Sequence, residues 1–390
     1  MAGEYDVVVI GAGPGGSSAA LHSARNGLRT LLVEEHSMAG EPVHCGECLS
    51  HLCVERLGLK PPEKVISLHV NGVRVLFPDK TSSILNEKGY VLEKHLFEQW
   101  LVDEAAKAGA EIRFSTKVTG LDRSDGFWKV ISNDSEFKTR IVIDASGVNS
   151  VVSGKLNLNK RFDSVIGLQY EMTEIKNDGY LDFYLWPKLA PHGYLWMIPK
   201  NSTRANVGLV TSEKTKAKAY LDEFIRAEGW QNKKIVKTFG GLIPASGPME
   251  NTCGDGIMLV GDAAGFTSPL FEGGTHLAMV SGKMSANVAK EAVEKNDTSK
   301  RILLKYEKMW RAEFPDYSKL IYGKDTLYQF TEQELNQVGW VMPKDVSNMG
   351  IVDMLNTGAN LLFKYPHLLR KGVMKTFQAF KYSRAEHYGW

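Results

Sequence analysis

The stretch that decides the fold is DVVVIGAGPGGSSAALHSARNGLRTLLVEE, residues 6–35. Its apolar start predicts a buried parallel strand, and the small residues after the turn predict a helix packed closely on a sheet. A second apolar strand then ends on two acidic residues. Together these elements form the dinucleotide-binding fingerprint in its full strand–turn–helix–strand context. The candidate binding residues are Gly11, Gly13, Gly15, Gly16, Glu34 and Glu35.

The glycines of this turn have distinct physical roles. Gly11 permits the tight turn, and Gly13 lets the backbone approach a pyrophosphate. Gly16 lets the helix lie against the strand, so that the helix N-terminus faces the phosphates. Glu34 is expected to accept a hydrogen bond from a ribose hydroxyl.

The composition is that of an ordinary globular protein. The chain has 390 residues, 43% hydrophobic and 24% charged, enough for two domains with large cores. A net charge of +2 gives no reason to expect nucleic-acid binding. Four cysteines are too few for a disulfide scaffold, no charge-free apolar run could span a membrane, and the first strand begins too early for a signal peptide. We therefore expect a cytoplasmic protein.

Hydrophobic patterns along the rest of the chain predict an α/β fold. Buried strands at 141–143 and 257–260 run into glycine-containing turns, whereas 165–210 shows a series of aromatic-rich strands. Asn71-Gly72 is predicted as a hairpin turn. The expected architecture is a discontinuous Rossmann-like nucleotide-binding domain, an inserted antiparallel β-sheet substrate domain and a C-terminal helical region. The predicted boundaries are 1–60, 90–155 and 250–295 for the first, 61–89 and 156–249 for the second, and 296–390 for the third.

A second group of candidate binding residues follows the strand at 257–260. Asp262 ends that strand and can hold a ribityl or ribose hydroxyl. Gly273, Gly274 and Thr275 open the next predicted helix. The N–H groups at such a helix start can stabilise negative charge on a reduced flavin.

In this order and spacing, the signatures resemble the FAD-dependent oxidoreductases of the p-hydroxybenzoate hydroxylase fold group, over about residues 1–300. Three local motifs resemble the geranylgeranyl reductases, flavoproteins that saturate C=C bonds of isoprenoid chains, including those of digeranylgeranylglycerophospholipids. These motifs are PVHCGE at 42–47, GYLWMIPK at 193–200 and ANVG at 205–208.

The resemblance implies FAD as cofactor, a hydride delivered from the reduced flavin, and an isoprenoid lipid or lipid precursor as substrate. It implies that Cys45 and Gly46 lie beside the flavin ring, with Cys45 as the candidate catalytic residue. Lys94 and Val118 are expected to complete the cofactor-binding set.

Two positions depart from the family pattern. Lys94 stands where the family usually has Arg, which keeps the charge but loses the guanidinium fork. Glu272 places a carboxylate where P-x-T-G-G-G has a glycine, close to the predicted flavin edge. Both departures bear on the substrate more than on the fold.

The cysteines leave three interpretations open. Cys45 and Cys48 form a C-x-x-C pair, with His44, His51 and Cys53 close by. A zinc site would need four ligands, and a second pair is missing, so we predict no metal. The pair could instead be redox-active beside a flavin. In the third interpretation Cys45 is a flavin-side residue and Cys48 fills space.

Alternating aromatic residues supply the candidate substrate site. Tyr184, Tyr194 and Trp196, together with Trp186, lie on strands, where alternate residues share a face. Such aromatics either fill a core or form one wall of an apolar tunnel for a long isoprenoid chain. His276, in the first turn of the helix after Gly274, is either a solvated histidine or a proton donor to substrate.

The C-terminal segment 360–388 is basic and amphipathic. Its basic residues interleave with apolar ones, which favours contact with an anionic membrane surface. The alternative is a helix that covers the substrate cavity with a solvated basic face. The basic residues are Lys364, Arg370, Lys371, Lys375, Lys381 and Arg384.

Other enzymes of the same fold remain alternatives. A flavin monooxygenase or halogenase shares the architecture, but residues 146–150 lack the Asp and Arg of the D-G-x-x-S-x-x-R turn beside which such enzymes often bind NADPH. An electron-transfer dehydrogenase is the third class, although the clustered C-terminal cysteines of an iron–sulfur domain are missing. The sequence has one G-x-G-x-x-G, so we expect a ferredoxin or a reduced nicotinamide as electron donor without a separate nicotinamide domain.

Overall fold

The strand, turn and helix predicted for the opening stretch are all present. Strand β1 (Glu4–Ile10) runs into the glycine turn, and helix α1 (Pro14–Arg25) follows. Proline fits the first helical position because the N–H groups there have no intrahelical acceptor. Strand β2 (Thr30–Val33) pairs in parallel with β1, as a βαβ unit requires.

The computed structural model describes residues 4–160 and 163–390. The further strands are β3 (Cys48–Ser50), β4 (Ile66–Val70), β5 (Gly72–Leu76), β6 (Ser82–Leu85), β7 (Gly89–Leu92), β8 (Glu111–Arg113), β9 (Val118–Ser124), β10 (Phe127–Ser132), β11 (Glu136–Asp144), β12 (Ser164–Thr173), β13 (Tyr180–Tyr184), β14 (Tyr194–Pro199), β15 (Arg204–Thr211), β16 (Ile235–Pro244), β17 (Cys253–Gly254) and β18 (Ile257–Leu259). The further helices are α2 (His51–Leu57), α3 (Lys94–Lys107), α4 (Val151–Leu156), α5 (Ala217–Ala227), α6 (Thr275–Glu294), α7 (Lys300–Glu313), α8 (Tyr317–Leu327), α9 (Glu332–Val341), α10 (Ile351–Lys364), α11 (Pro366–Lys371) and α12 (Val373–Tyr382).

The first sheet has a parallel centre with the order β18–β11–β1–β2–β8. Strands β9, β10 and β17 add to it in antiparallel fashion. Ile10 and Leu259 both pair with Asp144, so the turns after β1, β11 and β18 open at the same edge of the sheet. That edge is where a doubly wound fold binds its ligand.

The second sheet has the order β16–β12–β15–β14–β13–β5–β6 and is antiparallel except between β13 and β5. One face packs against the C-terminal helices, and the other is covered by α5, which buries Leu221 and Phe224. The predicted combination of a Rossmann-like sheet, an antiparallel sheet and C-terminal helices is confirmed.

The prediction of a hairpin at Asn71-Gly72 is wrong. Strand β4 pairs with β7 in a third sheet, whose order is β3–β7–β4, while β5 joins the second sheet. The two apolar runs therefore belong to different sheets. A hairpin signal reports local turn chemistry, whereas tertiary pairing decides the partner strand.

The domain boundaries stay a prediction. Residues 1–3 and 161–162, which those boundaries include, lie outside the described residues. Helix α7, assigned to the helical region, buries Leu303, Tyr306 and Trp310 in the same core as the first sheet. Tyr306 also donates a hydrogen bond to the Leu259 carbonyl at 2.6 Å.

Candidate active site

The glycine turn has no room for side chains at two positions. Gly11 has φ +96°, and a Cβ there would lie 2.5 Å from the Ala145 carbonyl oxygen. A Cβ at Gly16 would lie 1.8 Å from the Gly11 oxygen. Around Gly13, by contrast, a Cβ would meet no atom within 4 Å. The turn is thus packed tightly on its protein side and open in front of Gly13. Gly15 faces helix α6, where a Cβ would touch Ala278.

The two acidic residues after β2 differ in their surroundings. Glu34 is buried and accepts hydrogen bonds from the Ala12 N–H at 2.7 Å and the His36 N–H at 3.0 Å. Glu35 is exposed and lies 2.8 Å from the Lys117 ammonium, which lowers the pKa of Glu35. Val118 is buried at the start of β9. Glu34 therefore holds the glycine turn directly.

Lys94 is buried, and Asp262 is half-buried beside Gly274, just before helix α6. Lys94 pairs with Glu98 at 2.8 Å, and the charges of this and nearby acidic groups outweigh burial and raise its pKa. Burial raises the pKa of Asp262, opposed by a hydrogen bond from Thr267 and by the charge of Lys94. Helix α6 starts at Thr275 with no side-chain cap, so its first N–H groups are available to a ligand.

A cavity of about 990 Å³ joins this region to the second sheet and the C-terminal helices. Its wall includes the predicted flavin-side residues Cys45, Gly46 and 273–275. The rest is mostly apolar, with residues from β5, β13, β14, α8, α9, α10 and α12. A volume near the upper end of the range for small-molecule sites suits a long ligand.

The aromatic strands divide between this cavity and a separate core. Tyr194 and Trp196 line the cavity together with Phe183. Tyr184 lies on the opposite face of the sheet, where its ring packs 4.9 Å from that of Phe224. The expectation that Tyr184 forms part of the substrate wall is therefore wrong, because adjacent strand residues point to opposite faces.

The cysteines carry free thiols and form no disulfide. Cys45 and Cys48 line the cavity, and burial raises the pKa of the Cys48 thiol. Among the described residues no cluster of three or more His, Cys, Asp or Glu side chains could hold a metal ion. The role of Cys45 as a flavin-side residue stays a prediction, and Cys45 lies on the cavity wall.

Glu47 anchors the loop that carries Cys45. Only 2% of Glu47 is exposed, and its carboxylate accepts hydrogen bonds from the Lys94 N–H at 3.1 Å, the Lys200 ammonium at 2.7 Å and the Asn206 amide at 2.6 Å. Lys94 starts α3, Lys200 directly follows β14, and Asn206 lies on β15. The loop is therefore tied to the second sheet and to α3 by one buried carboxylate.

A glutamine links the cavity wall to the same loop. Gln169 on β12 donates to the Cys45 carbonyl at 2.7 Å and accepts from the Trp196 indole N–H at 3.0 Å. The position of the Trp196 ring is thus coupled to the backbone of the cysteine loop. No motif in the sequence indicated Gln169.

Three further residues of the site were not predicted from the sequence, although they lie inside the motifs quoted above. Glu47 ends PVHCGE, Lys200 ends GYLWMIPK, and Asn206 is in ANVG. The three motifs are far apart in the chain but meet in one buried network. A glutamate, a lysine and an asparagine inside otherwise apolar or glycine-containing motifs were the signal that could have indicated this network.

His276 is buried, not solvated. Its ring packs 4.8 Å from that of Tyr388, and its nitrogens lie 3.5 Å from Ser50 Oγ and from an Arg56 nitrogen. Burial and the Arg56 charge lower its pKa to about 3. His276 is therefore neutral at physiological pH. It is not among the residues that line the cavity.

The C-terminal helices cover the cavity and also expose an apolar surface. Thr357 and Leu361 of α10 line the cavity, while Phe363 is 81% exposed and Ile351 73%. Of the basic residues, Lys371 pairs with Glu334 and Arg384 with Glu87. Among the described residues, no helix is both long enough and apolar enough to cross a membrane.

Two protein-family models match this chain, one over the nucleotide-binding region and one over the second sheet. Residues 6–153 match the family model "FAD dependent oxidoreductase", and residues 163–243 match "Geranylgeranyl reductase catalytic domain". Two curated relatives are digeranylgeranylglycerophospholipid reductases. That of Methanocaldococcus jannaschii is 37% identical, covering 94% of this chain and 97% of the relative. That of Thermoplasma volcanium is 35% identical, with 94% and 98% covered.

Solved structures agree with this assignment. A geranylgeranyl bacteriochlorophyll reductase-like protein from Thermoplasma acidophilum superposes with a TM-score of 0.85 at 32% identity, covering 95% of this chain and 99% of the other. A flavin-dependent brominase superposes with a TM-score of 0.73 at 19% identity, covering 96% and 100%. The second likeness shows the shared fold alone. The chain is an FAD-dependent oxidoreductase and belongs to the geranylgeranyl reductase family.

Proposed function

We propose that this enzyme reduces the C=C bonds of geranylgeranyl chains in digeranylgeranylglycerophospholipids. The observation that carries the proposal is the apolar cavity of about 990 Å³ that runs from Cys45 and 273–275 to the C-terminal helices. The dimensions of the cavity suit a lipid chain. Two curated relatives of the enzyme are named for this substrate. A water-poor wall also protects a reduced cofactor from side reactions.

The residues present fit FAD. The open space in front of Gly13 can admit a pyrophosphate, which the N-terminus of α1 would stabilise. Gly11, Gly15 and Gly16 shape that turn, with Glu34, Glu35 and Val118 on the adenosine side. Asp262 has acceptor capacity left beyond its Thr267 partner, so it can hold a ribityl hydroxyl. Lys94, Gly273, Gly274 and Thr275 complete the proposed cofactor set.

Bound and reduced, FAD supplies the hydride for the alkene. The protein contributes positioning: the first N–H groups of α6 would stabilise negative charge on the cofactor, and Cys45 and Gly46 would form part of the wall beside it. Tyr194 and Trp196 hold the chain on the other side. Cys45 is proposed as a catalytic residue because its thiol is free and lines the cavity.

An anaerobic turnover tests the reaction. The FAD-loaded enzyme is reduced with dithionite, mixed with a geranylgeranylated glycerophospholipid, and followed by flavin absorbance and product mass. We expect flavin reoxidation together with addition of hydrogen at the alkenes. If the lipid gains no hydrogen, the proposal fails. A hydroxylated or halogenated product in the presence of oxygen would support the monooxygenase or halogenase class.

The proposed electron donor is a ferredoxin-like protein. The chain has a single G-x-G-x-x-G, which the proposal assigns to FAD. A stopped-flow comparison of reduced ferredoxin, NADH and NADPH tests this point. If NADH or NADPH reduces the flavin faster than reduced ferredoxin does, the electron donor is a reduced nicotinamide instead.

The proposal includes contact between the C-terminal helices and an anionic membrane. Exposed apolar residues of α10 adjoin cavity-lining residues of the same helix, so a lipid chain could pass from a bilayer into the cavity. Four basic side chains on α10–α12 are exposed and suit anionic headgroups. The exposed apolar residues are Ile351, Val352, Met354, Leu355, Leu362, Phe363 and Met374, and the basic residues are Lys364, Arg370, Lys375 and Lys381.

Vesicle sedimentation tests the membrane contact. The double variant Ile351→Asp, Phe363→Asp should bind anionic vesicles more weakly than the unmodified enzyme. Val236→Asp is the control, because Val236 is an exposed apolar residue on β16 and 46% accessible. Equal sedimentation of all three proteins would rule out this surface.

A further inference from the structure

Glu272 is a half-buried residue at the meeting point of the two halves of the site. It directly precedes Gly273 and Gly274, and it lines the cavity beside Phe271 and Tyr194. Its Oε2 atom is buried and has no hydrogen-bond partner among the described residues. An unpaired buried oxygen costs folding free energy, so its retention indicates a use.

The backbone at Glu272 adds a second cost. Its φ is +47°, in the left-handed region that favours glycine. Glycine is also the residue that the P-x-T-G-G-G motif has here. A non-glycine residue in such a conformation is typical of functional sites.

The other carboxylates of the cavity wall are already engaged. Glu47 is held by Lys200 and Asn206. Glu87 accepts hydrogen bonds from Arg384 and from the Trp390 indole, both at 2.8 Å. Glu272 is thus the wall carboxylate with a free oxygen within the described part of the chain.

Other proton donors near Glu272 are less suited. The Tyr194 hydroxyl donates to the Phe271 carbonyl at 2.6 Å, and its pKa is raised well above its usual range by burial. Burial also raises the pKa of Tyr328 and of the Cys48 thiol. These groups hold their protons too tightly to give them up readily near neutral pH.

We propose that Glu272 is the proton donor that completes alkene reduction, an inference that rests on the proposed function. One alkene carbon receives the hydride supplied by the reduced cofactor. The π electron pair forms a C–H bond at the other carbon with the Glu272 proton, the O–H bond breaks, and a carboxylate remains. A proton from solvent then restores the acid.

The surroundings favour the protonated form of Glu272. Burial raises its pKa to about 8, opposed by the charge of Lys324 on α8 and by the Tyr194 hydroxyl on β14. Tyr328, just after α8, is close enough for the charges of Glu272 and Asp325 to act on it, and both charges would raise the pKa of its hydroxyl further. The carboxyl group therefore carries a proton at neutral pH and is matched to general-acid catalysis there.

The first test needs neither cofactor nor lipid. Infrared difference spectra between the unmodified apoprotein and Glu272→Gln should contain a protonated-carboxyl C=O band at pH 7. That band should disappear as the pH rises above about 8. A carboxylate signal at pH 7 would overturn the proposal. Circular dichroism of both proteins verifies that the variant is folded, and Glu272→Asp is measured if it is not.

The second test uses single turnovers of the loaded enzyme in ²H₂O. The unmodified enzyme reduced in ²H₂O should add two deuterium atoms per reduced bond, because the N–H of the reduced flavin and the proton of the acid both come from solvent. The rate should fall above the pKa of Glu272. Glu272→Gln should be slower by about 10²- to 10⁴-fold with a flat pH profile, and Glu272→Asp should recover part of the rate. Equal rates and pH profiles in Glu272→Gln would refute the role. If the unmodified enzyme itself reduces no lipid, the proposed function fails instead.

Discussion

The Lys200 ammonium lies 2.7 Å from Glu47 Oε2, and the two side chains are 1% and 3% exposed. Lys200 also lies 3.1 Å from Glu93 Oε2. Burial opposes ionisation of Glu93, but the charge of Lys200 and its hydrogen bonds lower the pKa of Glu93 overall. This buried ion pair holds the Cys45 loop against the second sheet.

Breaking the pair from one side should be costly. Lys200→Met leaves the Glu47 carboxylate buried without its cation, and we expect a loss of about 3–5 kcal/mol in the free energy of unfolding. The double variant Glu47→Gln, Lys200→Met should lose less than the two single variants added together. Urea denaturation of all three proteins measures this. A loss below about 1 kcal/mol for Lys200→Met would contradict it.

Acid should destabilise the protein through His276. Its pKa is about 3 when folded and 6.5 when unfolded, so at pH 7 the ring is neutral in the folded state and mostly neutral in the unfolded state. Below pH 6.5 the unfolded chain gains a proton that the folded protein cannot accept, and stability falls until the pH nears 3. At pH 5 the loss is about 2 kcal/mol.

The variant His276→Gln isolates this contribution. Because glutamine does not titrate, the variant should lose about 2 kcal/mol less than the unmodified protein between pH 7 and pH 5. Denaturant titrations at the two pH values provide the comparison. Identical pH dependence in both proteins would show that another group is responsible.

Helices α1 and α6 should tolerate no side chain at Gly282. A Cβ there would lie 2.4 Å from the Gly15 carbonyl oxygen and 2.8 Å from the Ala19 nitrogen. Both atoms are backbone, so neither can move without shifting the glycine turn or helix α1. Gly282→Ala should destabilise by about 1–3 kcal/mol.

Gly358→Ala is the matched control for this clash. Gly358 is also inside a helix, α10, but a Cβ there would meet nothing within 4 Å. Alanine should therefore stabilise by about 0.5–1 kcal/mol through helix propensity. Thermal unfolding of both variants tests the contrast, and a neutral Gly282→Ala would show that the helices can separate.

Neighbouring residues on β13 should differ in their effect on lipid binding. Phe183 lines the cavity, whereas Tyr184 packs against Phe224 on the other face. Phe183→Leu should raise KM for the lipid roughly fivefold, equivalent to about 1 kcal/mol of lost contact. Tyr184→Leu should reduce stability but leave KM unchanged. A KM effect of Tyr184→Leu equal to that of Phe183→Leu would contradict the assignment of faces.

Local patterns determined the nucleotide-binding half of the protein. The strand at 7–10, the turn at 11–16 and the helix behind it could be predicted because each follows from nearest-neighbour backbone geometry and periodicity. The start of α6 at Thr275 was predictable for the same reason. The resemblance of these signatures to a known fold group implied the cofactor, and the three local motifs implied the class of reaction through their resemblance to the geranylgeranyl reductases.

Only the tertiary structure decided which of the candidate residues share a site. Tyr184 and Tyr194 are similar in sequence terms, yet strand pairing puts them on opposite faces of one sheet. Glu47 and Lys200 are 153 residues apart and meet through buried charge. Such long-range contacts depend on how sheets and helices pack, which periodicity and turn chemistry do not encode.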